Sequence, residues 1–318
     1  MFRRFLFGLA LVYLFFGCRN TTSNSTSAYT IATLKGPSSM GMIRLIDSLK
    51  NTKGATVRVE ILNEPIQVRK MMLEGSADFA ILPTNMASIM YNKGIDYRLI
   101  GVPDWGSLFL FGSDSTVTTW SQMKGKRVYL MAKGMTPDVL VRYLLKKNGI
   151  EPEKDVILDY SFPTHIDLAN AVAAGQAPLG VISEPMASLA MARNKSVKPV
   201  IDLNVEWEKC QGRPMALTAF MAKKSIINRS RSTVEKIISG YRSSANWVNQ
   251  YPDSAAVLIV KYGILPDIKV ALSSIPRSNL KFIIARDAKS DIKDFLSVFY
   301  QMNPDIIGGK MPDEDFYY

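Results

Sequence analysis

Short apolar runs alternate with amphipathic segments along the chain from Tyr29 onward. Runs such as residues 57–62 place branched apolar side chains over a few consecutive positions, which is typical of β-strands. The segments between the runs repeat apolar residues at helical spacing, as Ile43, Ile46 and Leu49 do. Because strand and helix patterns alternate, the sequence predicts βαβ units and a largely parallel sheet, which is an α/β fold.

The predicted strands are short and bounded by glycine, proline or polar turns. They cover residues 29–34, 57–62, 78–82, 98–102, 108–112, 127–131, 156–160, 179–183, 199–203 and 213–222. Beyond the last strand the composition turns helical, with helices predicted over residues 233–251, 254–262 and 291–302.

Two similar βα series, divided after residue 112, predict two lobes. We assign residues 29–112 together with 213–318 to lobe 1, and residues 113–212 to lobe 2. A chain that leaves one lobe and returns to it needs two crossing segments. Residues 108–112 and 213–222 are the expected ones.

Residues 1–17 have the form of a secretory signal peptide. Two arginines precede an unbroken run of apolar residues and glycine over residues 5–16, which is too short to cross a bilayer. The run ends in LFFGC, which resembles a bacterial lipobox with Phe15 where leucine is more usual. We therefore expect cleavage before Cys18, a lipid anchor on Cys18 and a flexible tether over residues 18–28. The alternative is a plain signal peptide with an incidental cysteine.

Composition and charge exclude several kinds of site. The 318 residues are 47% hydrophobic and 21% charged, as in an ordinary globular protein. One histidine and two cysteines cannot build a multi-histidine metal site or a four-cysteine zinc site, so neither a metal nor a cofactor is expected. The formal charge of +11 is dispersed without interleaved aromatic residues, so solvated faces explain it and nucleic acid is not an expected partner.

Four turns between a strand and a helix carry the candidate binding residues. Ligands of open α/β sheets bind outside the carboxyl ends of the strands, where helix N-termini present free N–H groups. The candidates are Pro37, Ser38, Ser39 and Met40 in the first turn, Thr84 and Asn85 in the second, Gly134, Met135 and Thr136 in the third, and Glu184 in the fourth. Each hydroxyl has the alternative of capping only its own helix.

Two further residue types suggest the nature of a ligand. Trp105 precedes a crossing segment, where it is a candidate stacking wall or an ordinary interlobe packing residue. Methionines such as Met40, Met135 and Met186 lie near the predicted turns. Their adaptable side chains suit an irregular apolar ligand surface, and the alternative is that they pack in the core. Glu184 either selects a ligand amine or N–H donor or stabilises its helix start.

Candidate catalytic groups are few. His165 is the only histidine and therefore the only conventional general base near neutral pH. It lies at a predicted helix start with no nucleophile motif beside it, so we interpret it as a capping or surface residue. Cys210 has no second cysteine to resolve it once Cys18 is lipidated, so a structural thiol is expected.

Three stretches together carry a resemblance to a known family: residues 75–80 (GSADFA), 123–144 and 174–185. With the tail over residues 307–313, they resemble the periplasmic solute-binding proteins of ABC importers. The most similar group is the one that binds nitrate, sulfonates, taurine or thiamine-pyrimidine precursors. The likeness covers most of residues 29–318.

The resemblance implies a two-lobed type II binding-protein fold, with a mostly parallel sheet in each lobe and a two-segment hinge. It also implies a monomer that closes on a small solute and delivers it to a permease and ATPase. Such a protein binds the solute and does not convert it. No arginine lies in a predicted cleft turn, and Lys35 and Lys133 are the nearest cations. Glu184, Trp105 and the methionines favour an organic solute such as a thiamine-precursor pyrimidine, and an anionic solute such as a sulfonate or nitrate stays open.

Two alternative functions stay open. One is an enzyme on the same scaffold, as in some menaquinone-pathway enzymes and the fungal pyrimidine synthases, although this chain lacks the cysteine cluster of the latter. The other is a sensor or surface receptor that has reused the fold. Permease and ATPase genes beside this one would favour transport over a receptor.

Overall fold

The computed structural model describes residues 29–131 and 133–318. The predicted signal peptide, the predicted lipidation site Cys18 and the predicted tether lie outside the described residues. Within the described ranges, no helix is both long and apolar enough to cross a membrane.

Two β-sheets contain the strands of the described chain. The strands are β1 (Tyr29–Leu34), β2 (Val57–Leu62), β3 (Phe79–Pro83), β4 (Tyr97–Asp104), β5 (Leu108–Gly112), β6 (Arg127–Tyr129), β7 (Ile157–Asp159), β8 (Leu179–Ser183), β9 (Lys198–Asp202), β10 (Thr218–Lys223) and β11 (Leu280–Ile284). The larger sheet has six strands in the order β11-β4-β10-β3-β1-β2, and the smaller has five in the order β7-β6-β8-β5-β9.

Helices flank both sheets, which confirms the predicted two-lobed α/β architecture. They are α1 (Pro37–Gly41), α2 (Ile43–Asn51), α3 (Pro65–Leu73), α4 (Thr84–Asn92), α5 (Thr136–Lys147), α6 (His165–Ala173), α7 (Met186–Arg193), α8 (Leu203–Gln211), α9 (Lys224–Arg229), α10 (Arg231–Gln250), α11 (Pro252–Lys261), α12 (Ile268–Ser274) and α13 (Lys289–Met302). Short 3-10 segments lie at Trp120–Met123, Ile275–Arg277, Pro304–Ile307 and Glu314–Phe316.

Both sheets are mixed. In the larger sheet β2, β1 and β3 are parallel, whereas β10 lies antiparallel between β3 and β4. In the smaller sheet β7, β6 and β8 are parallel, whereas β5 lies antiparallel between β8 and β9. The parallel parts are the βαβ units that the sequence predicts. β11 also pairs antiparallel with β4, at the edge of the larger sheet. The other two antiparallel strands, β5 and β10, are those with which the chain enters the smaller sheet and returns to the larger one.

β5 belongs to the smaller sheet, although we expected Leu108–Gly112 to end lobe 1 and to cross between the lobes. Phe109 pairs with Ile182 of β8 and Asp202 of β9, and every residue of β5 is buried. A strand that is apolar at every position is most stable inside a sheet, where it has a hydrogen-bonded neighbour at each edge and helices cover both faces of the sheet. The chain therefore crosses earlier, at residues 105–107, and returns through residues 212–217.

Four strands and helices in the described chain were not predicted: β11, α8, α9 and α12. β11 follows a region that reads as helical, and it becomes a strand by pairing antiparallel with β4, far away in sequence. α8 follows β9 directly, because the Asp202 side chain accepts hydrogen bonds from the backbone N–H groups of Asn204 and Val205.

Buried aromatic side chains join α13 to the helices of the smaller sheet. The ring centroid of Trp207 in α8 lies 5.8 Å from that of Tyr143 in α5 and 5.4 Å from that of Phe295 in α13. Because α13 follows the last strand of the larger sheet, this cluster connects the two lobes through apolar contact.

Replacing Gly112 with alanine tests the tight pairing of β5 with the segment before β8. A Cβ atom at this position would overlap the carbonyl oxygen of Pro178, which belongs to backbone and cannot rotate away. We expect Gly112→Ala to lower the free energy of unfolding by about 1–3 kcal/mol in urea denaturation. The matched control is Ser113→Ala, whose side chain is partly exposed. Equal stability of the two variants would contradict the close approach.

Candidate functional site

A cavity of about 870 Å³ lies in a cleft between the two lobes. Four neighbouring strands of the larger sheet contribute its floor, through Leu34 of β1, Pro83 of β3, Thr218 of β10 and Asp104 of β4. These residues meet because β1, β3 and β4 end where the antiparallel β10 begins. The floor is thus a place where one ligand can contact several strands at once.

The opposite wall comes from the smaller sheet and the helices that follow it. Ser183 and Glu184 end β8, Met135 and Thr136 start α5, and Thr164 to Ile166 start α6. Thr164 caps α6 by accepting a hydrogen bond from the N–H of Asp167, at 3.2 Å, as the sequence predicts. The cleft therefore lies between the strand ends of one lobe and the helix starts of the other.

Most of the cleft surface is apolar. Its carbon-rich lining comprises Leu34, Pro37, Pro65, Pro83, Leu108, Met131, Met135, Pro137, Ile166, Pro185, Met186, Leu189, Leu217, Val260, Ile264, Leu265 and Pro266. Two cationic residues of the lining, Lys35 and Arg193, are exposed to solvent. An apolar cavity with few polar groups is typical of a site for an organic small molecule.

Asp104 is a buried carboxylate on the cleft floor, with only 2% of its surface exposed. It accepts hydrogen bonds from the N–H of Gly106 at 3.0 Å and from the hydroxyl of Ser107 at 3.1 Å. Neither donor carries a charge. Burial raises the pKa of Asp104 to about 7, and these two hydrogen bonds lower it only in part.

Thr218 lies beside Asp104 on the next strand. The two strands are joined here, because the N–H of Leu217 donates to the carbonyl oxygen of Asp104 at 3.1 Å. Thr218 is 7% exposed, and its hydroxyl oxygen has no hydrogen-bond partner within the described part of the chain. The floor thus holds a hydroxyl without a partner near a carboxylate without a counter-charge.

Glu184 forms an ion pair across the cleft. Its carboxylate lies 2.5 Å from Nε of Arg277, which precedes β11 in the other lobe, and it accepts hydrogen bonds from the N–H and hydroxyl of Ser188 at 3.1 and 2.7 Å. Arg277 also donates to the Ser188 hydroxyl at 2.6 Å. Burial raises the pKa of Glu184 and the Arg277 guanidinium opposes that rise. The pair holds the lobes together through one satisfied network.

A second contact also bridges the lobes. The Thr136 hydroxyl at the start of α5 donates to the side-chain carbonyl of Asn85 at the start of α4, at 2.9 Å. Both residues are buried. Two helix starts that face each other across the cleft are therefore tied directly.

Residues 38–243 match the family described as ABC transporter, phosphonate, periplasmic substrate-binding protein. The chain belongs to this family. The predicted resemblance to periplasmic solute-binding proteins of ABC importers is thereby confirmed, whereas the nitrate, sulfonate and thiamine-precursor group stays a prediction.

Solved structures share the fold of this substrate-binding protein. An ABC transporter from Parabacteroides distasonis is 25% identical, with a TM-score of 0.80 over 92% of this chain and 99% of that one. The aliphatic sulphonate-binding protein SsuA from Escherichia coli is 16% identical, with a TM-score of 0.69 over 87% and 92%. The nitrate-binding protein NrtA from Synechocystis PCC 6803 is 13% identical, with a TM-score of 0.61 over 88% and 84%.

A curated relative is the binding protein YtlA of Bacillus subtilis, 27% identical over 185 residues. The alignment covers 57% of this chain and 53% of YtlA. The chain therefore matches about half the length of that relative.

Five of the residues predicted to bind ligand line the cleft of this substrate-binding protein: Pro37, Ser38, Met135, Thr136 and Glu184. Pro37 and Ser38 start α1, and the three others lie on the opposite wall. The turns that the sequence singles out thus converge on one cavity, although their contact with a ligand stays a prediction.

Three of the predicted residues lie under the cleft surface or beyond it. The Ser39 hydroxyl bonds back to the backbone of Gly36, and Met40 packs in the core of the larger lobe. Trp105 donates from its indole N–H to the Val102 carbonyl at 3.2 Å and lines a smaller, separate cavity. The position of Trp105 therefore does not support a stacking role in the cleft.

The remaining three predicted residues support the cleft from behind. The Thr84 hydroxyl donates to the carbonyl of Ala216 at 2.7 Å, and Asn85 accepts from Thr136. Gly134 has a φ of 80°, which favours glycine, and its N–H donates to the Asp138 carboxylate at 2.7 Å. These residues shape the chain around the cavity without lining it.

His165 lies in the cleft lining, contrary to the expected capping or surface role. Its Nε2 is 3.3 Å from the Ser183 hydroxyl. Burial lowers the pKa of His165 to about 4, so the ring is neutral at pH 7 and a weak base. Within the described residues, no carboxylate hydrogen-bonds to the ring to orient it as a catalytic triad requires.

Sequence reasoning missed three polar residues of the site: Asp104, Thr218 and Arg277. Asp104 had a usable signal, because a carboxylate directly after a predicted strand lies where ligands bind. Thr218 was assigned to the interior of a strand that in fact begins there. Arg277 had no such signal, because only the folded chain brings it to Glu184.

The raised pKa of Asp104 predicts a pH-dependent stability. The folded state holds this proton up to about pH 7 and the unfolded chain releases it near pH 4, so ionisation destabilises the fold as pH rises between these values. Asp104→Asn cannot ionise, so its stability relative to wild type should increase by about 2–3 kcal/mol from pH 5 to pH 8. Urea unfolding at both pH values measures this. The exposed Asp287→Asn is the control, and an equal difference at both pH values would contradict the assignment.

Removing Arg277 tests the interlobe ion pair. Glu184 is 1% exposed, so Arg277→Met leaves a buried carboxylate without its counter-charge. We expect a loss of about 2–4 kcal/mol in the free energy of unfolding, and partial recovery in the double variant with Glu184→Gln. Arg286→Met, which removes an exposed arginine, is the control. A single-variant loss no larger than that of the control would show that the pair contributes nothing.

Proposed function

We propose that the protein captures an organic solute between its two lobes and delivers it to the permease and ATPase of an ABC importer. The observation that supports this most is the interlobe cleft, with apolar walls and a polar floor formed by Asp104 and Thr218. A cavity of about 870 Å³ accommodates an organic molecule several times larger than an inorganic oxyanion.

The charges of the cleft favour an organic solute over a small oxyanion. Related proteins are described as binders of phosphonate, sulphonate and nitrate. A buried oxyanion needs cations or several free N–H donors around it. In this chain Lys35 and Arg193 lie in solvent, and the Arg277 guanidinium is occupied by Glu184. A heterocycle such as a thiamine-precursor pyrimidine fits these conditions better.

Capture by lobe closure follows from the contacts that bridge the cleft. Glu184 reaches Arg277, and Thr136 reaches Asn85, from opposite lobes. Such contacts form only when the lobes approach, so they stabilise a closed state around a bound solute. The short crossing segments at residues 105–107 and 212–217 are the places about which the lobes can rotate.

We also propose that the protein works outside the cytoplasm as a monomer anchored to a membrane. The support for the anchor is the sequence of residues 1–18, with its apolar run and its lipobox-like end at Cys18. Lipid on Cys18 and the polar tether would hold the binding domain near its permease. Mass spectrometry of the intact membrane-extracted protein tests this: a diacyl or triacyl mass on Cys18, lost in Cys18→Ala, is expected, and an unmodified Cys18 would contradict it.

Native mass spectrometry of freshly purified protein tests solute capture. We expect a non-covalent small molecule that denaturation releases and that raises the melting temperature saturably when it is added back. Ile166→Gln puts an amide into the apolar wall and should weaken binding about tenfold. Its control is Ile157→Gln, because both isoleucines are 47% exposed and only Ile166 lines the cleft. Conversion of the solute to a product would favour the enzyme alternative, and equal binding by both variants would place the site elsewhere.

A further inference from the structure

We propose that the solute carries a protonated or N–H-donating nitrogen and that this nitrogen binds to Asp104, with the Thr218 hydroxyl as a second partner. This inference rests on the proposed function and names the chemical class of its solute. The class is an organic amine, amidine or amino-substituted heterocycle.

Asp104 has no cationic side chain as a partner within the described residues. Carboxylates as buried as this one are nearly always paired with a cation or a metal ion. Asp104 instead has only the N–H of Gly106 and the hydroxyl of Ser107, and no cation contacts it within the described chain. A carboxylate has about four lone-pair positions, so acceptor capacity remains after these two bonds. A ligand nitrogen supplies what the protein does not.

Thr218 lies next to Asp104 on the cleft floor. Its hydroxyl is buried on the cleft floor without a partner, on the strand hydrogen-bonded to the one that ends in Asp104. A buried hydroxyl that makes no hydrogen bond costs about 1–3 kcal/mol, so such groups are rarely left unused. The Thr218 hydroxyl can accept or donate, whereas the ionised Asp104 carboxylate only accepts. A ligand that donates hydrogen bonds can therefore satisfy both groups of the floor.

Four other charged side chains lie in the cavity lining, and the two cationic ones, Lys35 and Arg193, are exposed to solvent, which screens their charge. Glu64 lies in the lining at the start of α3, and Glu184 is neutralised by Arg277. Burial raises the pKa of Glu64, and the negative charge of Asp167 across the cleft adds to that effect. The carboxylates of Asp104 and Glu64, which have no cationic partner within the described residues, repel an anionic solute and attract a cationic one. The apolar walls then receive its carbon skeleton.

Matched probes of equal shape and different charge test the proposal on the wild-type protein. The probes are benzylamine, benzyl alcohol and benzoate, together with 4-aminoquinoline and quinoline, titrated by calorimetry at pH 7.5. We expect each amine to bind about tenfold or more tightly than its neutral analogue, and benzoate not to bind. Tighter binding of benzoate than of benzylamine, or equal binding of amines and neutral analogues, would overturn the proposal.

Variants locate the interaction at the cleft floor. Asp104→Asn should remove most of the preference for amines over neutral analogues, and Thr218→Val should reduce amine affinity about threefold to tenfold. Asp287→Asn makes the same charge change on an exposed loop outside the cleft and should behave as wild type. If Asp104→Asn does not fold, the Thr218→Val variant and the probe series on the wild-type protein still test whether the ligand nitrogen binds at the cleft floor. An unchanged amine preference in either folded floor variant contradicts the assignment.

The solute recovered from purified protein separates this inference from the proposed function. A bound solute with a basic or N–H-donating nitrogen supports both. A bound solute without such a nitrogen, released equally by wild type and Asp104→Asn, overturns the inference and leaves solute capture intact. Absence of any bound solute together with no binding of the five probes overturns both.

Discussion

The architecture depends on how the chain passes from one sheet to the other at residues 105–107. The Asp104 carboxylate fixes this passage by accepting hydrogen bonds from Gly106 and Ser107, and the carbonyl of Ser107 in turn accepts from the N–H of Glu184. The Asn279 side chain donates to the carbonyl of Gly106 from the other side. Within a few residues, β4 of the larger sheet, β5 of the smaller sheet and the end of β8 are held in one network.

Because this network is buried, the two sheets keep a defined relation at the crossing while the cleft faces remain separable. The contact of Glu184 with Arg277, which bridges the lobes, is polar and can exchange with water if the lobes part. The contact of Trp207 with Phe295 is apolar and buried, so it resists separation. Opening therefore means rotation about the crossing and the aromatic cluster, rather than dissociation of the lobes.

The sequence predicts much of this arrangement because α/β folds are built from local patterns. Strand and helix periodicity locate the turns, and the turns at Pro37, Met135 and Glu184 do meet at one cavity. Sheet membership is harder, since an apolar strand such as β5 fits either sheet and long-range pairing decides. Interlobe partners are harder still: Arg277 reaches Glu184, 93 positions away, only after both lobes have formed. The same holds for Trp105, because the residues beside it in the sequence do not determine to which cavity its indole packs.

The position of Asp104 connects the crossing to the cleft. Its backbone ends β4, its carboxylate fixes the segment about which we propose that the lobes rotate, and the residue belongs to the cavity lining. A carboxylate needed only to shape a turn is normally placed where water or a cation stabilises its charge. Asp104 is 2% exposed and no cationic side chain pairs with it within the described residues, so its charge is most costly when the cleft is closed and empty. A donor bound at this point lowers that cost, and it lowers it most in the closed state. Solute binding and lobe closure would then be coupled through one side chain.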